Sequence, residues 1–452
     1  MQPLTAFHVV VSMRQMQHTN PITPVEGPEE NPPLEVALLT WEYPPIPTAK
    51  GRVACEVAHG LARHGVNVRV FTMDRDDVVR TDHERIEVIG CAGRITGLRR
   101  LMRKIPGLEF AATAAAFREC VHEEHERRPF DLIEASNWGA PAAMLMDCGL
   151  PIVIRNSAPH GIDEADASTL GQRISNRIVS GMEARCNHSA DAIISNSRSH
   201  ANAIRNWYDI TPGLIHMVTP LSVDPVIRKA GISAQFPPAH ARLRLAYIGD
   251  DSERKGFDEM LLAFQKVSEQ LRDQGEPLPE LHLMGLESGA LDARVSQLGV
   301  STSLLEQVFD YGRVTDESMT HILARCQAVL APSRYQSFGS VYHEAAAFGR
   351  PLIACAEDPA AVEHIHRHGC GRLAEACTPD AIAETVLNLF NDRHTMLEMR
   401  KAGLEAAKSW TREELGARTL QIYRRAMRLE AIDIPGSQHS RGYHGALEQV
   451  RI

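Results

Sequence analysis

The chain alternates between short, continuously apolar runs and longer stretches with helical spacing, and it does so twice. Residues 34–40, 66–72, 131–135, 151–155 and 192–196 form the first set of runs. Runs this short, with apolar residues on both faces, suit strands buried on both sides of a parallel sheet. Between them lie helical stretches such as 53–64, where Val53, Val57 and Leu61 share a face, and 173–190. Strand, helix, strand is a βαβ unit with a right-handed crossover. A Pro-marked break at Pro220, Pro225, Pro237 and Pro238 separates this series from a second one. The second has strand-like runs at 243–249, 281–285, 308–311, 328–331 and 351–355, with a helix expected from about 256 to 270. The reading is α/β throughout: two Rossmann-like, doubly wound parallel sheets, 34–225 and 226–410, facing each other across a cleft. A helix at 411–428 follows. Open α/β sheets bind ligands beyond the C-terminal ends of their strands, so the cleft is the expected site.

Composition narrows the function. The 452 residues carry a net charge of −9, which argues against nucleic acid as a partner. Nine cysteines are scattered without C-x-x-C spacing, as expected of reduced thiols in a cytoplasmic protein and not of a zinc ribbon. No apolar run approaches the roughly 18 residues of a membrane span. Residues 1–33 and 429–452 are Pro- and Gly-containing and lack periodicity, which predicts a disordered lead-in and a loose tail.

The densest chemistry lies in Ser333-Arg334-Tyr335-Gln336-Ser337-Phe338-Gly339-Ser340-Val341-Tyr342-His343-Glu344, which follows a strand and opens a helix. A turn with Ser337 and Gly339 lets backbone N–H groups approach an anion, and the helix start adds free donors and the positive end of its dipole. That suits a diphosphate. Glu344, one turn in, can accept hydrogen bonds from a vicinal diol such as a ribose. On the residues alone, a helix cap followed by a surface Glu fits as well.

This segment resembles the donor-binding signature of the family 4 glycosyltransferases, whose two domains have the GT-B fold. The likeness runs from about residue 34 to 428 and includes Ile248-Gly249 through Lys255-Gly256, Tyr311-Gly312-Arg313-Val314, Asp191-Ala192-Ile193-Ile194-Ser195-Asn196-Ser197 and Pro220-Leu221-Ser222-Val223-Asp224. It implies retaining, metal-independent transfer of a sugar from a nucleotide-sugar donor to a sugar, lipid or small-molecule acceptor, without a cofactor. It also implies roles. Lys255, Gln336 and His160 take part in catalysis. Gly51, Arg52, Gly249, Arg254, Lys255, Arg313, Val314, Ser337, Phe338, Gly339, Ser340, Val341 and Glu344 bind the donor: Lys255 and the N–H groups at 339–340 the diphosphate, Glu344 the ribose, and Arg313-Val314 the base.

Departures from the pattern bear on activity. Gln336 stands eight positions before Glu344, where the family has an acid, and Asp250-Asp251 stand where it has an arginine. Arg254 is the candidate replacement for that arginine. The first loop carries Gly51-Arg52 for Gly-Gly. The family's histidine aligns with Ser157, with His160 nearby. The alternative reading is an impaired GT-B protein acting as a nucleotide- or sugar-binding or regulatory partner; a nucleotide-sugar epimerase or a phosphorylase fits less well.

Two further segments stand out. His364, His366 and His368 invite a metal, yet ligands two apart on a helix do not converge, and a helix end before Gly369 accounts for them. Residues 94–105 are basic and amphipathic. An ordinary surface helix with a core-facing stripe is the simpler reading, and peripheral contact with an anionic membrane at the inner surface is the other.

Overall fold

The structure, a computed structural model, describes residues 32–45, 48–76, 78–80, 84–162, 169–210, 214–337 and 339–427. The lead-in at 1–31, Phe338 and the tail at 428–452 lie outside the described residues. From Leu34 onward the chain is one unit. Its first sheet has β1 (Glu35–Leu39), β2 (Asn67–Thr72), β3 (Val78–Arg80), β4 (Ile86–Gly90), β5 (Leu132–Ser136), β6 (Ile152–Arg155), β7 (Ala192–Ser195) and β8 (Ile215–Val218). They lie in the order β3-β4-β2-β1-β5-β6-β7-β8, all parallel except β3 against β4. Helices α1 (Ala49–Arg63), α2 (Gly97–Met102), α3 (Leu108–Arg127), α4 (Leu170–Ser189) and α5 (Arg198–Tyr208) connect them, and α6 (Pro225–Ser233) leads out.

The second sheet has β9 (Arg244–Ile248), β10 (Glu280–Met284), β11 (Val308–Asp310), β12 (Ala328–Ala331), β13 (Leu352–Cys355) and β14 (Gly371–Ala374), all parallel in the order β11-β10-β9-β12-β13-β14. Its helices are α7 (Phe257–Asp273), α8 (Ala290–Leu298), α9 (Asp316–Leu323), α10 (Ser340–Ala347), α11 (Pro359–His368), α12 (Pro379–Phe390), α13 (Arg393–Ala406) and α14 (Arg412–Ala426). The strand order reverses between β9 and β12, which opens a crevice at their C-terminal ends. The sequence reading omitted β3, β4, β8 and β14. These are edge or near-edge strands, less continuously apolar than the central ones.

Alternation along each strand sends side chains to opposite faces. Val36 and Leu38 join Val68, Val70, Val57 and Leu61 on one face, while Ala37 and Leu39 join Phe71, Phe117 and Ile133 on the other. In the second sheet, Leu245 and Tyr247 pack with Phe257 and Phe264, and Ala246 with Val329 and Phe348.

The last helix, α14, returns to the first domain. Leu415, Leu420, Ile422 and Tyr423 enter the core beside α1. The two backbones nearly touch: a Cβ on Gly416 would lie 2.1 Å from the Gly60 carbonyl oxygen. Beneath them, buried Arg155 donates to both carboxylate oxygens of Glu134 (2.6 and 3.0 Å) and to Thr419, and the Tyr423 hydroxyl donates to Glu134 at 2.7 Å. A buried carboxylate satisfied by three donors costs far less than an unpaired one.

One expectation is overturned. In place of an amphipathic helix over 94–105, α2 is only six residues long and buries none of them. Leu98 and Leu101 face solvent, not the core. Gly97 and Gly107, both at positive φ, confine the helix to too few turns to lay a stripe on the core.

Gly416→Ala is expected to lower the melting temperature, with a cost of roughly 2–3 kcal/mol from the forced backbone shift. Gly181→Ala on α4, where an added Cβ meets nothing within 4 Å, should be neutral or slightly stabilising. Thermal melts of both variants check this; equal melting would refute the close α1–α14 approach.

Candidate functional site

A cavity of about 320 Å³ opens at the reversal of the second sheet. Its floor is Gly249 and Asp250 beyond β9, with Met284 at the end of β10 and Gly285 just after it. One wall is the start of α10; the facing wall is Thr48 and Arg52 from the start of α1 in the first domain.

The α10 wall forms because Gly339 adopts φ 57°, left-handed backbone that favours glycine, and a Cβ there would lie 2.8 Å from the Tyr342 ring. The Tyr342 and His343 N–H groups turn back onto the Gly339 carbonyl at 2.9 and 3.3 Å, which leaves those of Ser340 and Val341 at the helix start without such a partner. Ser340 and Val341 line the cavity, and Glu344 follows one turn later on the same side. Glu344 is buried, which pushes its carboxyl up, and Arg52 opposes that rise. The Arg52 guanidinium bridges the domains, lying 2.9 Å from Glu344 Oε1 and 2.9 Å from Asp316 Oδ1 on α9.

Lys255 enters from the turn before α7. Burial, and then the nearby Arg254, push its ammonium down to about 8, while Asp250, Asp358 and Glu344 pull the other way. Asp250 lines the same cavity. Partial burial raises its carboxyl, but the Ser252 hydrogen bonds and Lys255 outweigh that, and it titrates below the usual range. Arg313 and Val314 lie at the rim, where Arg313 pairs with Glu287.

The expected donor residues therefore divide. Arg52, Gly249, Lys255, Arg313, Val314, Ser340, Val341 and Glu344 line one cavity. Others do not. Gly51 sits in the first turn of α1, with its N–H on Thr48 Oγ1. Arg254 donates to the Tyr335 carbonyl at 3.2 Å and does not line this cavity. The Ser337 carbonyl accepts from Asn196 Nδ2, and Gly339 together with Ser337 borders a different cavity.

Of the three residues expected in catalysis, only Lys255 reaches this cavity. Buried Gln336 spends its amide on Ser333 Oγ at 2.8 Å. His160 packs against Phe110 and Trp138, and its backbone N–H donates to Glu183, whose carboxyl burial pushes up to about 7. Sequence reasoning missed Asp316. As the first residue of a helix capped by Thr315, it reads as ordinary capping chemistry until Arg52 is seen to reach it.

Among the described residues, no three His, Cys, Asp or Glu side chains are grouped to hold an ion. α11 ends at His368 with Gly369 in the left-handed conformation. His364 is not at a solvated helix end, however. It is buried against His343 and Trp410, and desolvation keeps it neutral well below its usual range.

The chain is similar to known proteins over both domains. Residues 51–222 match the model described as Glycosyltransferase Family 4, and residues 231–410 match that described as Glycosyl transferases group 1. A D-inositol 3-phosphate glycosyltransferase of Segniliparus rotundus is 26% identical over 390 residues, covering 81% of this chain and 82% of the relative. One from Kineococcus radiotolerans is 27% identical, covering 84% and 90%. Among solved structures, sucrose-phosphate synthase from Thermosynechococcus elongatus has a TM-score of 0.70 at 18% identity, covering 88% of this chain and all of that one. WaaG, a glycosyltransferase involved in lipopolysaccharide biosynthesis, has a TM-score of 0.63 at 18% identity, covering 86% and 99%. These structures share the GT-B fold.

Two measurements test the site. A nucleoside diphosphate held here by Lys255 would need the ammonium charged and would raise its pKa. Affinity should therefore be flat below pH about 8 and fall above it, by up to about tenfold per pH unit. Lys255→Met should bind weakly and lose that slope; an unchanged slope would remove Lys255 from the phosphate site. Arg52→Ala should weaken nucleoside diphosphate binding roughly tenfold without weakening binding of the uncharged nucleoside, because Glu344 is freed. Calorimetry with both ligands decides the matter.

Proposed function

The chain belongs to the family 4 glycosyltransferases, both of whose domains it carries in order, and from this premise we propose that it moves a sugar from a nucleotide sugar to an acceptor hydroxyl with retention and without a metal. The observation that carries the reading is the convergence of Lys255, Arg52, Glu344 and the first turn of α10 on one cavity at the strand-order reversal. The diphosphate belongs at the α10 N-terminus beside Lys255, the ribose at Glu344 and the base toward Arg313-Val314.

When the bond from the sugar's anomeric carbon to phosphate breaks, the electron pair and negative charge go to the departing nucleoside diphosphate. Lys255, Arg52 and fixed N–H donors stabilise that charge more than they stabilise the bound donor. Those protein cations supply what a divalent ion would otherwise provide. Retention rests on the family resemblance alone. The acceptor would enter from the first domain. There Lys50 lies 3.2 Å from the Trp138 ring centroid and borders a smaller cavity with Glu134 and Arg155. A phosphorylated polyol, the substrate class in the names of the bacterial relatives, is the first acceptor to try.

The test is a panel of nucleotide sugars with that acceptor. Release of nucleoside diphosphate should persist in chelator, and NMR should show the donor's anomeric configuration in the product. Lys255→Ala and Glu344→Ala should each lower the rate roughly 100-fold or more. Gln336→Ala should cost less, since its amide faces Ser333. No release from any nucleotide sugar would sink the proposal.

A further inference from the structure

The displaced helix α2 does not stand alone. The turn after it lies on α4: a Cβ on Gly107 would lie 2.3 Å from Ile178 Cδ1, and one on Gly171 would lie 3.3 Å from Pro106 Cγ. The Glu109 carboxylate at the start of α3 also accepts from Ser175 of α4. The two segments therefore present one surface. Leu98, Leu101 and Ile105 project from the first; Leu170, Ile174 and Ile178, one turn apart, project from the second. These are six of the thirteen large apolar side chains exposed among the described residues, and Leu98 and Leu170 are 72% and 74% exposed. Apolar side chains gathered in this way mark an interaction site, unlike singly scattered ones.

The two segments themselves carry charge of one sign, although Glu109 lies between them and Asp163, Glu164 and Asp166 precede the second in sequence. Arg100, Arg103 and Lys104 flank the first segment and Arg177 the second, and all four are exposed. No acidic residue occurs from Arg94 to Leu108 or from Thr169 to Met182. Arg94 and Arg99 are turned away into ion pairs with Glu119 and Glu123 of α3. Yet the chain as a whole carries −9. Cations clustered around an apolar ridge on an otherwise acidic chain suit a partner that is anionic with an apolar interior.

We propose that this α2–α4 face docks on the surface of an anionic lipid bilayer. The leucines and isoleucines enter the headgroup boundary while the arginines and Lys104 meet lipid phosphates. No helix among the described residues is long and apolar enough to cross a membrane, so contact would be peripheral and reversible. The first turn of α3, next to this face, carries Phe110 against Trp41, Trp138 and His160. Docking would set this aromatic wall of the first domain at headgroup level. The proposal is independent of the donor chemistry.

The experiment is sedimentation of the full chain with vesicles of phosphatidylcholine alone and with added phosphatidylglycerol. Binding should require the anionic lipid and fade as salt rises, since screening acts over about 10 Å at 0.1 M. Arg100→Glu with Arg103→Glu should lower the partition coefficient at least roughly tenfold. Leu98→Asp with Leu170→Asp should do likewise at unchanged melting temperature. If that pair melts early, Arg100→Gln with Arg103→Gln decides in its place. Equal binding to both vesicles, or full binding by the charge-altered variants, overturns the proposal. So does a dimer in light scattering that Leu170→Asp splits, which would assign the face to a second copy of the chain.

Discussion

A parallel strand cannot reach its neighbour by a tight turn; it must cross over through a helix, and that constraint decides where this protein can hold a ligand. Crossovers from β9 run to one side of the second sheet and those from β12 to the other, so the loops beyond these two strands diverge. Backbone forms the base of the gap left at their ends: Gly249 and Gly285 come together there, with a Cβ on Gly285 only 2.9 Å from the Gly249 carbonyl oxygen. The loop after β12 then feeds α10, whose unpaired N–H groups face the same gap. The binding chemistry follows from the topology and from the two glycines that let it close up.

Charge in that gap is balanced internally. Arg52 lies between Glu344 and Asp316, and Lys255 has Asp250, Asp358 and Glu344 within electrostatic reach. Burial pushes Lys255 down and Glu344 up, and the opposite charges around each work against that shift. Because Arg52 belongs to the first domain and its two partners to the second, the same pairs join the halves of the cleft. Asn196 on Ser337 and Glu363 on the N–H groups of Arg198 and Ser199 join them again on the other side of the donor loop. A dianionic ligand entering the cavity would compete for Arg52, so filling the site and loosening one interdomain contact are linked.

How much of this was legible beforehand depended on the reach of the interaction. The central strands could be read because burial on both faces demands an unbroken apolar run, as in Leu245-Ala246-Tyr247. Most edge strands could not, β11 excepted: β14 is Gly-Arg-Leu-Ala, with little to distinguish it from a loop. Lys255, Ser340, Val341 and Glu344 were legible because short-range spacing around a strand and a helix start places them. Gln336, Ser337 and His160 were expected at the site but turn elsewhere, because their partners Ser333, Asn196 and Glu183 are set by tertiary packing. Leu98 and Leu101 misled for a related reason. Amphipathic spacing says that a helix has an apolar face, and only the fold says whether the core is on that side.

The aspartate at 250 is the departure that looks most damaging, and the electrostatics give it a use. Burial and Arg254 both drive Lys255 toward its neutral form, and a lysine without charge cannot hold a phosphate. An arginine at 250 would add a second cation beside Lys255 and push it down further, while Arg254 stays committed to the Tyr335 carbonyl. Asp250 acts in the opposite direction, first among the carboxylates that restore the ammonium. Its own charge is held by Ser252, so it need not turn toward the space a diphosphate would fill. An aspartate at 250 thus supports the charge of Lys255, and it would be compatible with an anionic ligand as long as Asp250 keeps facing Ser252.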